Sequence, residues 1–231
     1  MAVGFSVSEM ERLSSCLGRL MPHMRRGEIA ITGGVAIQLG LPGHPDSRET
    51  IADLDLVASR LDAVAESVSE EFLVSHYHVP QPDVPTFMIQ LVDPVSHIRV
   101  DIFPDLVGSL KYARRFTIGD QSVNVLSLQS ILDHKLLTVS KASASRPVDP
   151  KHDRDARVLA AMLCREIPPA PPDALVKDVY GIEEDFVCRR CQLSQNPGFP
   201  LAPKHKIFDL LGWRVCEPPD NPRQPSAADH A

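Results

Sequence analysis

The chain has no apolar run of the about 18 residues that a membrane-spanning helix needs, which excludes a transmembrane helix. Its first residues do not read as a secretory leader either, since residues 6–26 are amphipathic with charges spread throughout. Five cysteines are few and odd in number, so a disulfide framework is not expected. Positive charge is in deficit: 24 Lys and Arg against 30 Asp and Glu give a net charge of -6 and a pI near 5.8, which argues against a general nucleic-acid coat. No internal repeat is present. At 231 residues the chain is long enough to bury a core of one main domain with an appendage.

Two stretches carry chemistry. Ile29-Ala-Ile-Thr-Gly-Gly-Val-Ala-Ile37 places Gly33 and Gly34 after an apolar run, and Arg48-Glu-Thr-Ile-Ala-Asp-Leu-Asp-Leu-Val57 places Asp53 and Asp55 between leucines. Residues i and i+2 of a strand project to one face about 6.6 Å apart, so Asp53 and Asp55 point together while Leu54 and Leu56 anchor the strand. Paired carboxylates repel unless a cation joins them, and Mg²⁺ is commonly held by one or two carboxylates together with substrate phosphates. Gly33 and Gly34 permit a tight turn and close approach of a triphosphate, with N–H groups at the start of the following helix available to it. Singly, an Asp-x-Asp pair is also an ordinary strand end and a Gly-Gly pair an ordinary turn. A third acid, Asp101, lies in the alternating pattern His97-Ile-Arg-Val-Asp-Ile-Phe103. If that strand lies beside the first, three carboxylates converge on one metal site.

With these features the chain resembles the nucleotidyltransferase superfamily related to DNA polymerase beta. More narrowly, it resembles the AbiEii-type nucleotidyltransferases, toxins of bacterial toxin–antitoxin and phage-abortive systems. The resemblance rests on Gly33-Gly34-Val35-Ala36, on Arg48-x-Thr50-x-x-Asp53-x-Asp55, on the strand with Asp101, and on residues 123–163 with Lys135, Lys141, Arg146, Lys151 and Asp155; it covers roughly residues 25–165. It implies that Asp53, Asp55 and Asp101 bind Mg²⁺ or Mn²⁺, that Gly33, Gly34, Arg48 and Thr50 contact an NTP, and that Lys135 and Asp155 complete the catalytic set. In Lys151-His-Asp-Arg-Asp155 the family's acid is either Asp153 or Asp155. The implied reaction transfers NMP from the NTP to RNA such as a tRNA end, to a protein or to a small molecule. A bacterial cytoplasmic setting and an antitoxin partner are implied as well. The alternative is an inactive nucleotide-binding or zinc-dependent interaction protein on the same scaffold.

Lys135 also has a reading of its own, at the polar edge of the helical pattern of Leu128, Ile131, Leu132 and Leu136, where an ammonium can meet triphosphate charge. Lys111, Arg114 and Arg115, with the stretch from Lys135 to Arg157 further on, make a local basic zone that would suit an RNA end, although a solvated charged surface fits the same residues. Cys188-Arg-Arg-Cys191 has metal-ligand spacing, with His205 and Cys216 as further zinc ligands, although reduced core thiols fit the same residues. His76 and His78, near Asp83, read as a loop pair; Cys16 and Cys164 read as core.

The coarse architecture predicted is α+β, a small mixed β-sheet with flanking helices followed by a helical C-terminal part. Residues 1–126 would form the nucleotidyltransferase core, 127–166 a helical extension completing the cleft, 167–217 an appendage and 218–231 a disordered tail. Helices are expected over residues 8–24, after Gly34, and over 61–72 with Ser59 as cap, and strands over 28–32 and around Asp53 and Asp55. Hairpins are expected from 86–92 with 97–103, turning at Asp93-Pro94, and from 115–118 with 121–125, turning at Gly119-Asp120. Residues 147–150 would separate two helical pieces, and the proline run of 167–172 would end the helical part.

Overall fold

A computed structural model describes residues 5–41, 50–80, 86–141, 148–168 and 198–202. Among them no helix is long and apolar enough to cross a membrane.

Helix α1 (Val7–Leu20) begins where the Ser6 hydroxyl accepts from the Glu9 amide, and it buries Leu13, Cys16, Leu17 and Leu20. The proline at position 22 accompanies its tightening into a 3-10 turn, Met21–His23, so the helix is shorter than its periodicity suggested. Strand β1 (Ile29–Ile31) runs into α2 (Gly33–Gly40), and β2 is Asp53–Ala58. A short α3 (Val68–Glu71) leads into β3 (Leu73–His78), followed by β4 (Met88–Val92), β5 (Arg99–Pro104), β6 (Arg114–Ile118) and β7 (Gln121–Val125). Two helices complete the described chain, α4 (Leu128–Ser140), capped by Ser127, and α5 (Pro150–Met162), capped by Asp149 with proline at its first position.

The strands form one seven-stranded mixed sheet in the order β3-β4-β5-β2-β1-β7-β6. Both expected hairpins are present as antiparallel pairs, β4 with β5 and β6 with β7. The pairing that matters most for function is between strands far apart in the chain: β2 lies parallel to β5, with Asp55 opposite Asp101 and Asp53 opposite Arg99. Alternate residues Leu54, Leu56, Val100 and Ile102 turn inward and are almost wholly buried. Ile131, Leu132, Ala156 and Leu159 belong to the same apolar core as the sheet, so α4 and α5, packed on each other with α4 against α2, form no core of their own.

Three expectations are corrected. Residues 61–72 are not one helix but a 3-10 turn, Leu61–Ala63, an extended Val64 and then α3. The reason is long-range: the Arg25 amide donates to the Ala63 carbonyl, the Ala65 amide donates to the His23 carbonyl, and Met24 bridges Val64. Ser59 caps nothing there, its hydroxyl donating to Glu28 instead. His76 and His78 are not in a loop but on β3, whose register against β4 shifts between Val74 and His76; that bulge breaks the alternation that would have marked a strand. Cys164 is exposed, just past the end of α5 with a φ of 53°, in the left-handed position where the Arg165 amide reaches back to the Ala160 carbonyl. Cys16 is buried as expected.

Candidate functional site

The turn from β1 into α2 is bonded directly to β2: the Thr32 amide donates to the Asp55 carbonyl at 2.9 Å. Gly33 follows with a φ of 63°, a conformation natural to glycine. Its missing side chain also matters, because a Cβ there would lie 2.8 Å from Cγ of Asp55 and 2.9 Å from its Cβ. At Gly34 a Cβ would meet nothing within 4 Å, so this residue faces open space at the first turn of α2. The amides of that turn lack intrahelical acceptors and carry the positive end of the helix dipole.

Asp53 and Asp55 project from β2, and Asp101 projects beside them from β5. Burial, and then repulsion from Asp53 and Asp101, push the Asp55 carboxyl up from its ordinary 3.8 to about 7, against the pull of Lys135 and Lys151. Burial likewise raises Asp101, opposed chiefly by the Arg99 guanidinium and by a hydrogen bond from the Gln90 side chain. One nitrogen of Arg99, Nη2, stands 3.4 Å from Oδ2 of Asp53 and 3.2 Å from Oδ2 of Asp101. The three acids therefore share a face. Among the described residues, no three acids, histidines or cysteines form a closed ligand group as they stand. Oδ1 of Asp101 is buried without a hydrogen-bond partner, and that orphaned oxygen beside two further carboxylates fits a divalent cation as donor set.

Facing the acids across a cleft of about 680 Å³ is a basic wall supplied by Lys135 of α4 and by Lys151 and Arg154 of α5. Lys135 is anchored there: Nζ donates to Oδ2 of Asp155 at 2.8 Å and lies 3.3 Å from Nδ1 of His152. Burial, with Lys135 and Lys151 nearby, lowers His152 to about 4, so its ring is neutral and accepts from the ammonium. The two acids of α5 differ in their contacts. Asp155 lines the cleft and holds Lys135, whereas Asp153 is occupied by Arg157, at 2.8 and 3.1 Å. Thr50 lines the cleft as well.

Other residues singled out from sequence lie elsewhere. Lys141 caps the far end of α4 and is exposed outside the cleft lining. Lys111 lies over the Tyr112 ring, and Arg114 and Arg115 are exposed on β6, none of them lining the cleft. His76 and His78 contact one another at 3.0 Å. Arg48, Asp83, Arg146, Cys188, Cys191, His205 and Cys216 lie outside the described residues.

Sequence reasoning overlooked Arg99, Arg154, His152 and Gln90. Arg99 had a signal, two residues before Asp101 and so on its face of the strand. Lys151, His152, Arg154 and Asp155 had one too, the three- and four-residue spacing of one helical face.

The chain matches no protein-family model and no curated protein. Among solved structures it is similar to an antigenic nucleotidyltransferase-like protein from Paracoccidioides brasiliensis, at 23% identity and a TM-score of 0.39, over 72% of this chain and 81% of that one. It is also similar to JHP933 from Helicobacter pylori, at 13% identity and a TM-score of 0.41 over 68% of each chain. A third is the antibiotic-resistance factor ANT(2'')-Ia, at 15% identity and a TM-score of 0.44 over 68% of this chain and 84% of that one. Likeness at this level assigns neither family nor function.

Proposed function

We propose that this chain is a divalent-metal-dependent nucleotidyltransferase. The observation that carries the reading is the opposition, across one cleft, of Asp53, Asp55 and Asp101 on adjoining parallel strands to Lys135, Lys151 and Arg154 on two helices, with a glycine turn packed on Asp55. Negative charge on one wall suits cations, and positive charge on the other suits a polyphosphate.

In this reading Asp53, Asp55 and Asp101 hold the ion, the unpartnered Oδ1 of Asp101 being one donor. When bound, Mg²⁺ or Mn²⁺ supplies the charge that acidifies an acceptor hydroxyl and neutralises leaving pyrophosphate. The first-turn amides of α2, next to Gly34, donate to phosphate oxygens where no side chain obstructs them. Lys135, held by Asp155 and neutral His152, presents a fixed positive charge to the triphosphate as charge builds on the leaving group. The acceptor hydroxyl gives its proton to a carboxylate of the acid cluster, its oxygen bonds to the α-phosphorus, the bond from that phosphorus to the α–β bridging oxygen breaks, and pyrophosphate leaves with that bond's electron pair.

The finer assignment follows the motif resemblance of the sequence: an RNA or tRNA end, a protein or a small molecule as acceptor, and a bacterial cytoplasmic toxin restrained by an antitoxin. The test is incubation with each α-³²P-labelled NTP, Mg²⁺ or Mn²⁺, and total bacterial RNA, with the Asp53→Ala/Asp55→Ala protein in parallel. Label on RNA or protein that needs both aspartates supports transfer and identifies base and acceptor class. Nucleotide binding without transfer to RNA, protein or small molecules favours a binding protein instead. Growth arrest on expression, lost with the aspartates, is the expected mark of a toxin.

A further inference from the structure

The acid cluster contains its own cation. On the shared face of β2 and β5, Arg99 stands opposite Asp53 and Asp101 opposite Asp55, so a basic-acidic row adjoins an acidic-acidic row. Nη2 of Arg99 reaches one oxygen of each flanking acid, at 3.4 Å to Asp53 and 3.2 Å to Asp101. This is not the two-pronged pairing that makes a guanidinium hard to dislodge. A single nitrogen bridges the two carboxylates, and Nε of the same side chain is buried with no hydrogen-bond partner. Arg99 is therefore held by charge more than by shape, and its nitrogen stands between the oxygens of Asp53 and Asp101.

We infer that Arg99 is the resident counter-ion of this cluster and that a divalent cation bound between Asp53 and Asp101 must displace its Nη2, so that ion binding and the arginine bridge exclude one another. The inference rests on the reading above, in which these acids hold the ion. Competition of this kind lowers the apparent ion affinity by the fraction of molecules in which the bridge is broken. It also offsets the mutual repulsion of the carboxylates while no ion is bound, adding to the pull that Lys135 and Lys151 exert on Asp55.

The test is Mn²⁺ titration of the full chain, followed by calorimetry and by the paramagnetic resonance signal of free Mn²⁺, on wild type, Arg99→Gln, Arg99→Lys and Asp53→Ala/Asp55→Ala. The expected result is that wild type binds Mn²⁺, the double aspartate variant does not, and Arg99→Gln binds about three- to tenfold tighter than wild type. In EDTA, Arg99→Gln should melt below wild type, and adding Asp53→Asn should restore part of the loss. Should Arg99→Gln fail to fold, Arg99→Lys carries the comparison, because a compact, strongly hydrated ammonium bridges less well and should also tighten ion binding. Aspartate-dependent Mn²⁺ binding that is unchanged or weaker in the arginine variants overturns the inference and leaves the ion site standing. Absence of aspartate-dependent binding in every variant overturns both.

Discussion

Gly33 lies so close to the Asp55 carboxylate that any side chain on the glycine would occupy the acid's own space, with a Cβ 2.8 Å from Asp55 Cγ. Turn and acid therefore constrain one another. Gly33→Ala should lower transfer at least about 100-fold, through displacement of Asp55, and should also destabilise the fold because the backbone is left-handed there. Gly34→Ala, whose Cβ meets open space, should fold normally and show its effect as a raised KM for NTP. Melting curves and steady-state kinetics on the two variants separate the roles; equal effects would contradict this division.

Asp55 makes the ion-free protein sensitive to pH in an unusual direction. Its carboxyl is raised from 3.8 to about 7, so the folded state holds its proton more tightly than the unfolded state does. The associated stability is fully present below about pH 4 and is lost as pH rises through about 7. At about 1.4 kcal/mol per pKa unit the gap is on the order of 4 kcal/mol at most. In EDTA, Asp55→Asn should gain on wild type in melting temperature as pH climbs from 4 to 8. Saturating Mn²⁺ should narrow that gap by stabilising the wild-type protein. A gap that is flat with pH would show that Asp55 is not under this strain.

Lys135 is expected to act on the transition state more than on binding. Lys135→Met should reduce kcat by about 100-fold with a smaller change in KM, the usual cost of removing one preorganised charge. Asp155→Asn should lower kcat less, since the ammonium keeps its His152 contact while losing its anion. Full activity in Lys135→Met would remove it from the catalytic set.

Far from the cleft, Arg19 of α1 donates to the fully buried Asp93, which also accepts from the Ser96 hydroxyl and the Val95 amide in the turn between β4 and β5. Arg19→Met leaves that carboxylate short of a cation and should cost about 2 kcal/mol or more by denaturant unfolding. Activity per folded molecule should be unchanged. A neutral substitution would show that the turn's own donors suffice.

The parts of the site legible in the sequence were those set by local geometry. Asp53 and Asp55 share a face by strand periodicity, and Gly33 with Gly34 announces a turn without tertiary information. Lys135 and Asp155 came from motif order, and it takes the fold to separate Asp155, in contact with Lys135 at 2.8 Å, from Asp153, paired with Arg157. Beyond those local spacings, part of what escaped depends on contacts between distant segments. Arg99 acquires its place from a register with β2, which no single window of sequence contains. Residues 63–65 forgo a helix because they bond to residues 23–25, and β3 hides its identity behind a bulge.

The parallel pairing of β2 with β5 ties two kinds of selection together. A slip of one residue would turn Asp101 away from Asp55 and drive Val100 or Ile102, both fully buried, into the cleft. The aliphatic side chains under the sheet thus act as the ruler by which the acids are aligned. Mutational screens should accordingly find inactive variants at Leu54, Val100 and Ile102, buried positions outside the cleft lining, and proteins that retain the acids but repack that layer should drift out of alignment before they unfold.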